Sequence, residues 1–159
     1  MTGWCFRREP SLLLTRMQAF RMVERVYVGD EETAETIRDR WLEQGYESLV
    51  TLGLDVDIVP ANDPFFGRRG RLLAQSQREC RLKLEFVFSF GDGSPVALAS
   101  SNLHQDHFGE AFGISTVDGS VAHSTCFGWG LDRIVLALLC RYGTDPSRWP
   151  GAVRGVLWP

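Results

Sequence analysis

The sequence predicts an α+β domain in which an antiparallel β-sheet is flanked by helices, as opposed to a wound parallel sheet. Three observations point there. Residues 82–90 alternate in the β manner: Leu82, Leu84, Phe86, Phe88 and Phe90 share one face, while Arg81, Lys83, Glu85, Val87 and Ser89 share the other. Gly91-Asp92-Gly93-Ser94 then turns the chain into a second strand over 96–101, which makes a hairpin. Near the start, two extended runs, 4–9 and 17–28, are joined by a loop too long for a tight turn and read as an antiparallel pair.

Taken in order, the first strand sets Cys5, Arg7 and Glu9 on one face against Trp4 and Phe6, and Pro10-Ser11 breaks it. The second runs from Met17 to Gly29 and ends in the β-rich Val26-Tyr27-Val28. Asp30 reads as a helix N-cap, with Glu31 and Glu32 placed to favour the positive end of the helix dipole. That helix carries Ile37, Trp41 and Leu42 and is predicted to stop near Gly45. Leu54, Val56 and Ile58 alternate with Asp55 and Asp57 in a short strand, and 60–67 is turn-rich loop. The last part reads as a strand near 121–127, a Gly-x-Gly turn and a helix over 131–141. No internal repeat or low-complexity segment interrupts the chain.

Its 159 residues suffice for one domain with a core, and 44% apolar and 23% charged residues are ordinary for a globular protein. A formal charge of −3 without a Lys/Arg block argues against a nucleic-acid surface. No apolar run is long enough to span a bilayer, and Met1-Thr2-Gly3-Trp4 opens no signal sequence. The four cysteines (Cys5, Cys80, Cys126 and Cys140) form no disulfide framework, so the expected setting is the reducing cytoplasm. Cys80 and Cys140 read as small buried hydrophobes. Because a strand-like run begins almost at Met1, the expected partner of that strand lies elsewhere or the chain is part of a longer one.

Two patterns carry chemistry. In the first, Phe6-Arg7-Arg8-Glu9 precedes Arg16, Phe20 and Glu24. Arginines beside a loop are commonly solvated, yet a half-buried arginine between apolar neighbours seeks a carboxylate or phosphate for its planar fork. Arg16 and Phe20, four residues apart, would set a cation beside a flat aromatic platform, as an adenine and its polyphosphate need. In the second, Cys126-Phe127-Gly128-Trp129-Gly130-Leu131-Asp132-Arg133 leads into Ile-Val-Leu-Ala-Leu-Leu. An arginine in the first turn of a helix is unfavourable unless an anion is bound there. The same glycines also suit a plain strand–helix joint.

Together these patterns resemble motifs 2 and 3 of class II aminoacyl-tRNA synthetases. More narrowly, Cys-Phe-Arg-Arg-Glu-Pro-Ser, Asn62-Asp63-Pro64-Phe65-Phe66-Gly67-Arg68, Ser101-Asn102-x-His104-Gln105-Asp106-His107-Phe108-Gly109 and Cys126-Phe-Gly-Trp-Gly-Leu-Asp-Arg resemble the amino acid:[carrier protein] ligases. These are relatives of the atypical zinc-dependent seryl-tRNA synthetases. The resemblance implies that residues 1–159 form a class II synthetase-like catalytic domain without the N-terminal part that carries motif 1. It implies ATP-dependent activation of a small amino acid, glycine or alanine, and its transfer to the phosphopantetheine thiol of a carrier protein. Cofactors would be magnesium and zinc, the assembly a homodimer, and no tRNA would be needed.

Residue by residue, the resemblance implies that Arg7 contacts the α-phosphate, Glu9 the adenine edge and Arg16 the outer phosphates. Phe20 would stack on adenine and Arg133 hold the γ-phosphate. Glu24 and Cys126 would be zinc ligands gripping the substrate's amine. The family's remaining ligand, a cysteine ahead of motif 2, would precede Met1, with Cys5 as a candidate stand-in. His104-x-Asp106-His107 has metal-binding residue types at a spacing that fits no common zinc motif, and is expected to shape the floor of the site. Asn102 and Glu85 are the candidates for magnesium, Ala99 standing where the first member of that pair is sought. Two alternatives remain open on sequence: a seryl-tRNA synthetase core, and a non-catalytic paralogue that binds a nucleotide or a partner.

Overall fold

The computed structural model describes residues 1–61, 82–91 and 93–159. Its described strands are β1 (Thr2–Phe6), β2 (Ala19–Gly29), β3 (Asp57–Pro60), β4 (Lys83–Phe88), β5 (Val96–Gln105) and β6 (His123–Gly130). They form one sheet in the order β1-β2-β6-β5-β4-β3, and every neighbouring pair is antiparallel. The described α-helices are α1 (Glu31–Thr51), α2 (His107–Phe112), α3 (Leu131–Tyr142) and α4 (Gly151–Leu157). None of them is long and apolar enough to cross a membrane.

The alternation read in 82–90 builds the core. Leu84, Phe86 and Phe88 point to the buried face, where Phe86 meets Phe127 edge-on with ring centroids 5.4 Å apart. Leu49 and Leu54 from the α1 end, Leu98 from β5, and Ile134, Ala137 and Leu138 from α3 close the cluster. Full burial of one such side chain stabilises by roughly 1.5–3 kcal/mol, so this face holds the sheet to its helices. The opposite face carries Lys83 and Glu85 on β4.

Several boundaries differ from the sequence reading, each for a local reason. Helix α1 does not stop at Gly45 but runs through it to Thr51. Gly45 is buried where α1 crosses the sheet, and a β-carbon there would collide with the Phe127 ring. The glycine therefore permits close packing and is not a terminator. The Gly-x-Gly ahead of α3 is likewise no turn: Gly128-Trp129-Gly130 remains in β6, and α3 starts at the next residue. Strand β5 continues past Ser101 to Gln105, and α2 follows, so His104 lies on a strand and His107 opens a helix. Register shifts between Phe86 and Val87 and between Leu103 and Gln105 interrupt the pairing, and Val87 is buried although it lies outside the core cluster. Cys140 is exposed, contrary to its reading as a buried hydrophobe.

Strand β1 ends at Phe6, so Arg7 stands just beyond it, still held by its backbone N–H on the Gln18 carbonyl at 2.6 Å. Arg16 precedes β2 in a turn, so it does not share a strand face with Phe20. The short strand read around 54–58 begins at Asp57. Asp30 caps α1 as expected, accepting from the Thr33 N–H at 2.9 Å. Trp4 and Phe6 on edge strand β1 are 62% and 79% exposed, an apolar edge of the kind that invites aggregation. The Asn62–Arg68 motif, Cys80, Arg81 and Asp92 lie outside the described residues.

Candidate active site

The face of the sheet opposite the core floors a cavity of about 1030 Å³. Strand register explains which side chains reach it. One row across the strands pairs Glu85 with Ser100, Ser100 with Gly128, and Gly128 with Glu24. The next row on this face pairs Lys83 with Asn102, Asn102 with Cys126, and Cys126 with Val26, the last two lining an adjoining pocket. Between them runs a core-facing row, Leu84, Ser101 and Phe127, all of it buried. Gly128 keeps the floor open: a β-carbon there would stand 3.0 Å from Met22 Cε and 3.5 Å from Glu24 Oε1.

Positive charge gathers at one end. Arg133, in the first turn of α3, donates from Nε to the Thr15 carbonyl at 2.7 Å and from Nη1 to the Ala97 carbonyl at 2.8 Å. Burial, and the neighbouring charges of Arg7 and Arg16, pull its guanidinium below the ordinary arginine value, while Glu85 opposes them. Such a cluster is electrostatically uncomfortable without an anion. The Arg7 guanidinium lies 5.1 Å from the centroid of the Phe20 ring, a cation–π pair that puts the arginine and the aromatic platform side by side. Asp132, not singled out from sequence, accepts from the Arg21 backbone N–H at 2.5 Å and pins the start of α3 to β2.

Arg7, Phe20, Glu24 and Arg133 all line the cavity. Cys126 lines an adjoining pocket of about 320 Å³ that shares Glu24, His104 and Phe108 with it. Arg16 is exposed and is not among the cavity-lining residues, although its charge is near enough to disfavour that of Arg133. Glu9 is exposed, and neither it nor Cys5 is among the cavity-lining residues. Lys83, Ser100 and Asp132 line the cavity without having been named as site residues; the polar half of the β4 alternation was the signal for Lys83. Lys83 pairs with Glu85 at 3.5 Å.

The Cys126 sulfur stands between Asn102 Nδ2 at 3.4 Å and His104 Nε2 at 3.6 Å, and His104 Nδ1 meets Ser124 Oγ at 3.1 Å. Glu24 and Cys126 are donors of zinc-binding chemistry on one sheet face. Among the described residues, however, no three His, Cys, Asp or Glu side chains gather tightly enough to hold a metal ion. The residues described therefore offer a zinc ion two donors, where a catalytic site ordinarily supplies three.

No protein-family model matches the chain. Among curated proteins it is 42% identical over 154 residues to amino acid–[acyl-carrier-protein] ligase 2 of Bradyrhizobium diazoefficiens, covering 96% of this chain and 46% of that protein. It is 31% identical over 160 residues to the type-2 serine–tRNA ligase of Methanopyrus kandleri, covering 94% of this chain and 30% of that protein. The chain thus spans about half the length of the carrier-protein ligase it matches. Among solved structures, M. kandleri seryl-tRNA synthetase, in complex with Aquifex aeolicus tRNASec, superposes with a TM-score of 0.78 at 28% identity. That match covers 95% of this chain and 31% of the other. An ATP complex of seryl-tRNA synthetase from Pyrococcus horikoshii, at 14% identity and a TM-score of 0.68, repeats the fold. By sequence over nearly all its length the chain is a relative of the amino acid–[acyl-carrier-protein] ligases, and its fold is that of the class II aminoacyl-tRNA synthetases.

Proposed function

We propose that residues 1–159 are the ATP-binding part of a catalytic domain that activates a small amino acid, glycine or alanine, and passes it to a carrier protein's phosphopantetheine thiol. The observation that carries this reading is the arginine end of the cavity: Arg133 and Arg7 beside Phe20, over a floor that holds Glu24. The 42% identity to a carrier-protein ligase, against 31% to a serine–tRNA ligase, supports the acceptor named. No tRNA enters this reading.

In the reaction, a carboxylate oxygen of the amino acid attacks the α-phosphorus of ATP, a new P–O bond forms, and the bond to pyrophosphate breaks. The incoming thiol then attacks the adenylate's carbonyl carbon, and AMP departs. Arg7 neutralises charge on the α-phosphoryl oxygens, and Arg133 and Arg16 neutralise the outer phosphates. Phe20 offers the adenine a stacking surface, and Glu9 would have to approach from beyond the cavity wall to reach its edge. Magnesium, with Glu85 and Asn102 as the nearest candidates to hold it, would screen the phosphates. Zinc, held by Glu24 and Cys126, would supply a grip on the substrate's free amine. Holding both reactants in line converts a bimolecular encounter into a local one.

Amino-acid-dependent exchange of labelled pyrophosphate into ATP tests the reading. Exchange with glycine or alanine, followed by loading of a phosphopantetheinylated carrier, is the expected result. Nucleotide binding without exchange would favour a non-catalytic role.

A further inference from the structure

The adjoining pocket of about 320 Å³ has no part in the reaction proposed above. Among the described residues Glu24, His104 and Phe108 line both it and the cavity, and so form the partition between the two spaces. Its other walls are largely apolar: Val26 and Val28 from β2, Phe112 from α2, and Ile114. Phe108 is the bulky apolar member of the partition, and three rings brace its own. His104 and His107 meet it edge-on at centroid distances of 4.8 and 5.2 Å, and Phe112 stacks at 6.1 Å. The backbone fixes the short helix that carries it. Gln105 turns the chain out of β5 at φ 55°, a left-handed conformation that few residues other than glycine adopt. Gly109 is buried, and a β-carbon there would collide with the Ala122 carbonyl oxygen, so α2 lies hard against the approach to β6.

We propose that Phe108 is a specificity-determining residue for the reaction proposed above, its ring closing the apolar pocket to the side chain of the amino acid and so keeping the substrate small. The inference rests on that reading and adds the residue that sets the size limit. Position supports it. In that reading the amine is held at Glu24 and Cys126, and both residues line the pocket. The α-carbon is one bond from the amine, so the substrate's side chain starts at the partition. The carboxylate is drawn to the arginine end, where the nucleotide lies, and the room left for a longer side chain is the pocket behind Phe108. A hydrogen atom or a methyl group stops short of the ring, whereas a leucine side chain runs into it.

The test measures, by calorimetry on the full chain, the affinities of alanyl and leucyl sulfamoyl adenosine, stable mimics of the two aminoacyl-adenylates. Wild type is expected to hold the alanyl compound and to discriminate against the leucyl one. In Phe108→Ala the leucyl-to-alanyl affinity ratio should rise about 10- to 100-fold, the range that a hydrophobic pocket gives for a methylene or so. Phe108→Leu, which keeps more of the apolar bulk and carries the comparison if the alanine variant does not fold, should show a smaller rise. Adding Val26→Phe to Phe108→Ala refills the pocket from β2 and should bring the ratio back towards wild type. The proposal is overturned if wild type binds the two compounds equally, if truncating Phe108 changes both affinities by the same factor, or if the leucyl gain survives Val26→Phe. Failure of the broader reading shows in the unmutated chain, as binding of neither compound, and would overturn both.

Discussion

Arg133 on α3 donates from Nε to the backbone carbonyl of Thr15 at 2.7 Å, across a separation of 118 residues. With its second bond to Ala97, it ties the loop before β2, strand β5 and α3 together at the cavity's cationic end. The guanidinium plane is thereby fixed before any ligand arrives, which is what preorganised charge stabilisation requires.

Lysine cannot reproduce that fork, because its single ammonium cannot hold two carbonyls and face a phosphate. Arg133→Lys is expected to lower kcat/KM for pyrophosphate exchange by about 100- to 1000-fold, the usual effect of removing one transition-state donor. Arg133→Ala should be no better. Exchange kinetics with ATP and the amino acid varied in turn would check it, and near-normal rates in Arg133→Lys would refute the phosphate role.

Gly45 offers a prediction about stability alone. Its missing β-carbon makes room for the Phe127 ring, so Gly45→Ala should destabilise the domain by about 1–3 kcal/mol despite alanine's better helix propensity. Urea unfolding of Gly45→Ala, and of the pair with Phe127→Leu, measures it. The double variant should recover part of the loss; strict additivity would mean that the two sites do not touch.

Asp30 supplies a pH dependence. Its hydrogen bonds to the Thr33 backbone N–H and side chain hold its carboxyl below the ordinary value of 3.8 in the folded state. A carboxyl with a depressed folded pKa stabilises above the unfolded value, and the contribution fades as pH falls through the folded one. The stability gap between wild type and Asp30→Ala should therefore be fully open at neutral pH and narrow below about pH 4. Thermal melts at stepped pH would show it, and a gap that widens on acidification would contradict the capping account.

For the metal, loss should follow the two donors on the floor. Glu24→Gln and Cys126→Ser are each expected to reduce whatever zinc the chain retains after purification, whereas Cys140→Ser, at an exposed position away from the cavity, should not. Elemental analysis of the three variants decides it. Equal zinc in all of them would remove Glu24 and Cys126 from the site.

What was legible in the sequence divides along physical lines. Strand alternation exposes burial directly, so Leu84, Phe86 and Phe88 announced the core face, and Asp30 announced the start of α1. Glycine is ambiguous, because it serves both chain reversal and close approach. Gly45 and the Gly128–Gly130 pair were therefore read as a stop and a turn when each admits a neighbour. The register shift at Leu103–Gln105 leaves no local signature, and the approach of His104 to Cys126, 22 residues away, has none either. The meeting of Asn102 with Cys126, 24 residues apart, depends on strand order, which no window of sequence contains.

The two-sided sheet has a consequence for how the protein can change. Along β4, β5 and β6, neighbouring residues serve different ends: Ser101 is packed in the interior while Asn102 faces the cavity, and Phe127 is core while Cys126 and Gly128 belong to the floor. Substitution tolerance along these strands should therefore be striped with a period of two. One stripe answers to folding and the other to turnover, so a new substrate preference can arise on the cavity-facing stripe without loosening the core-facing one.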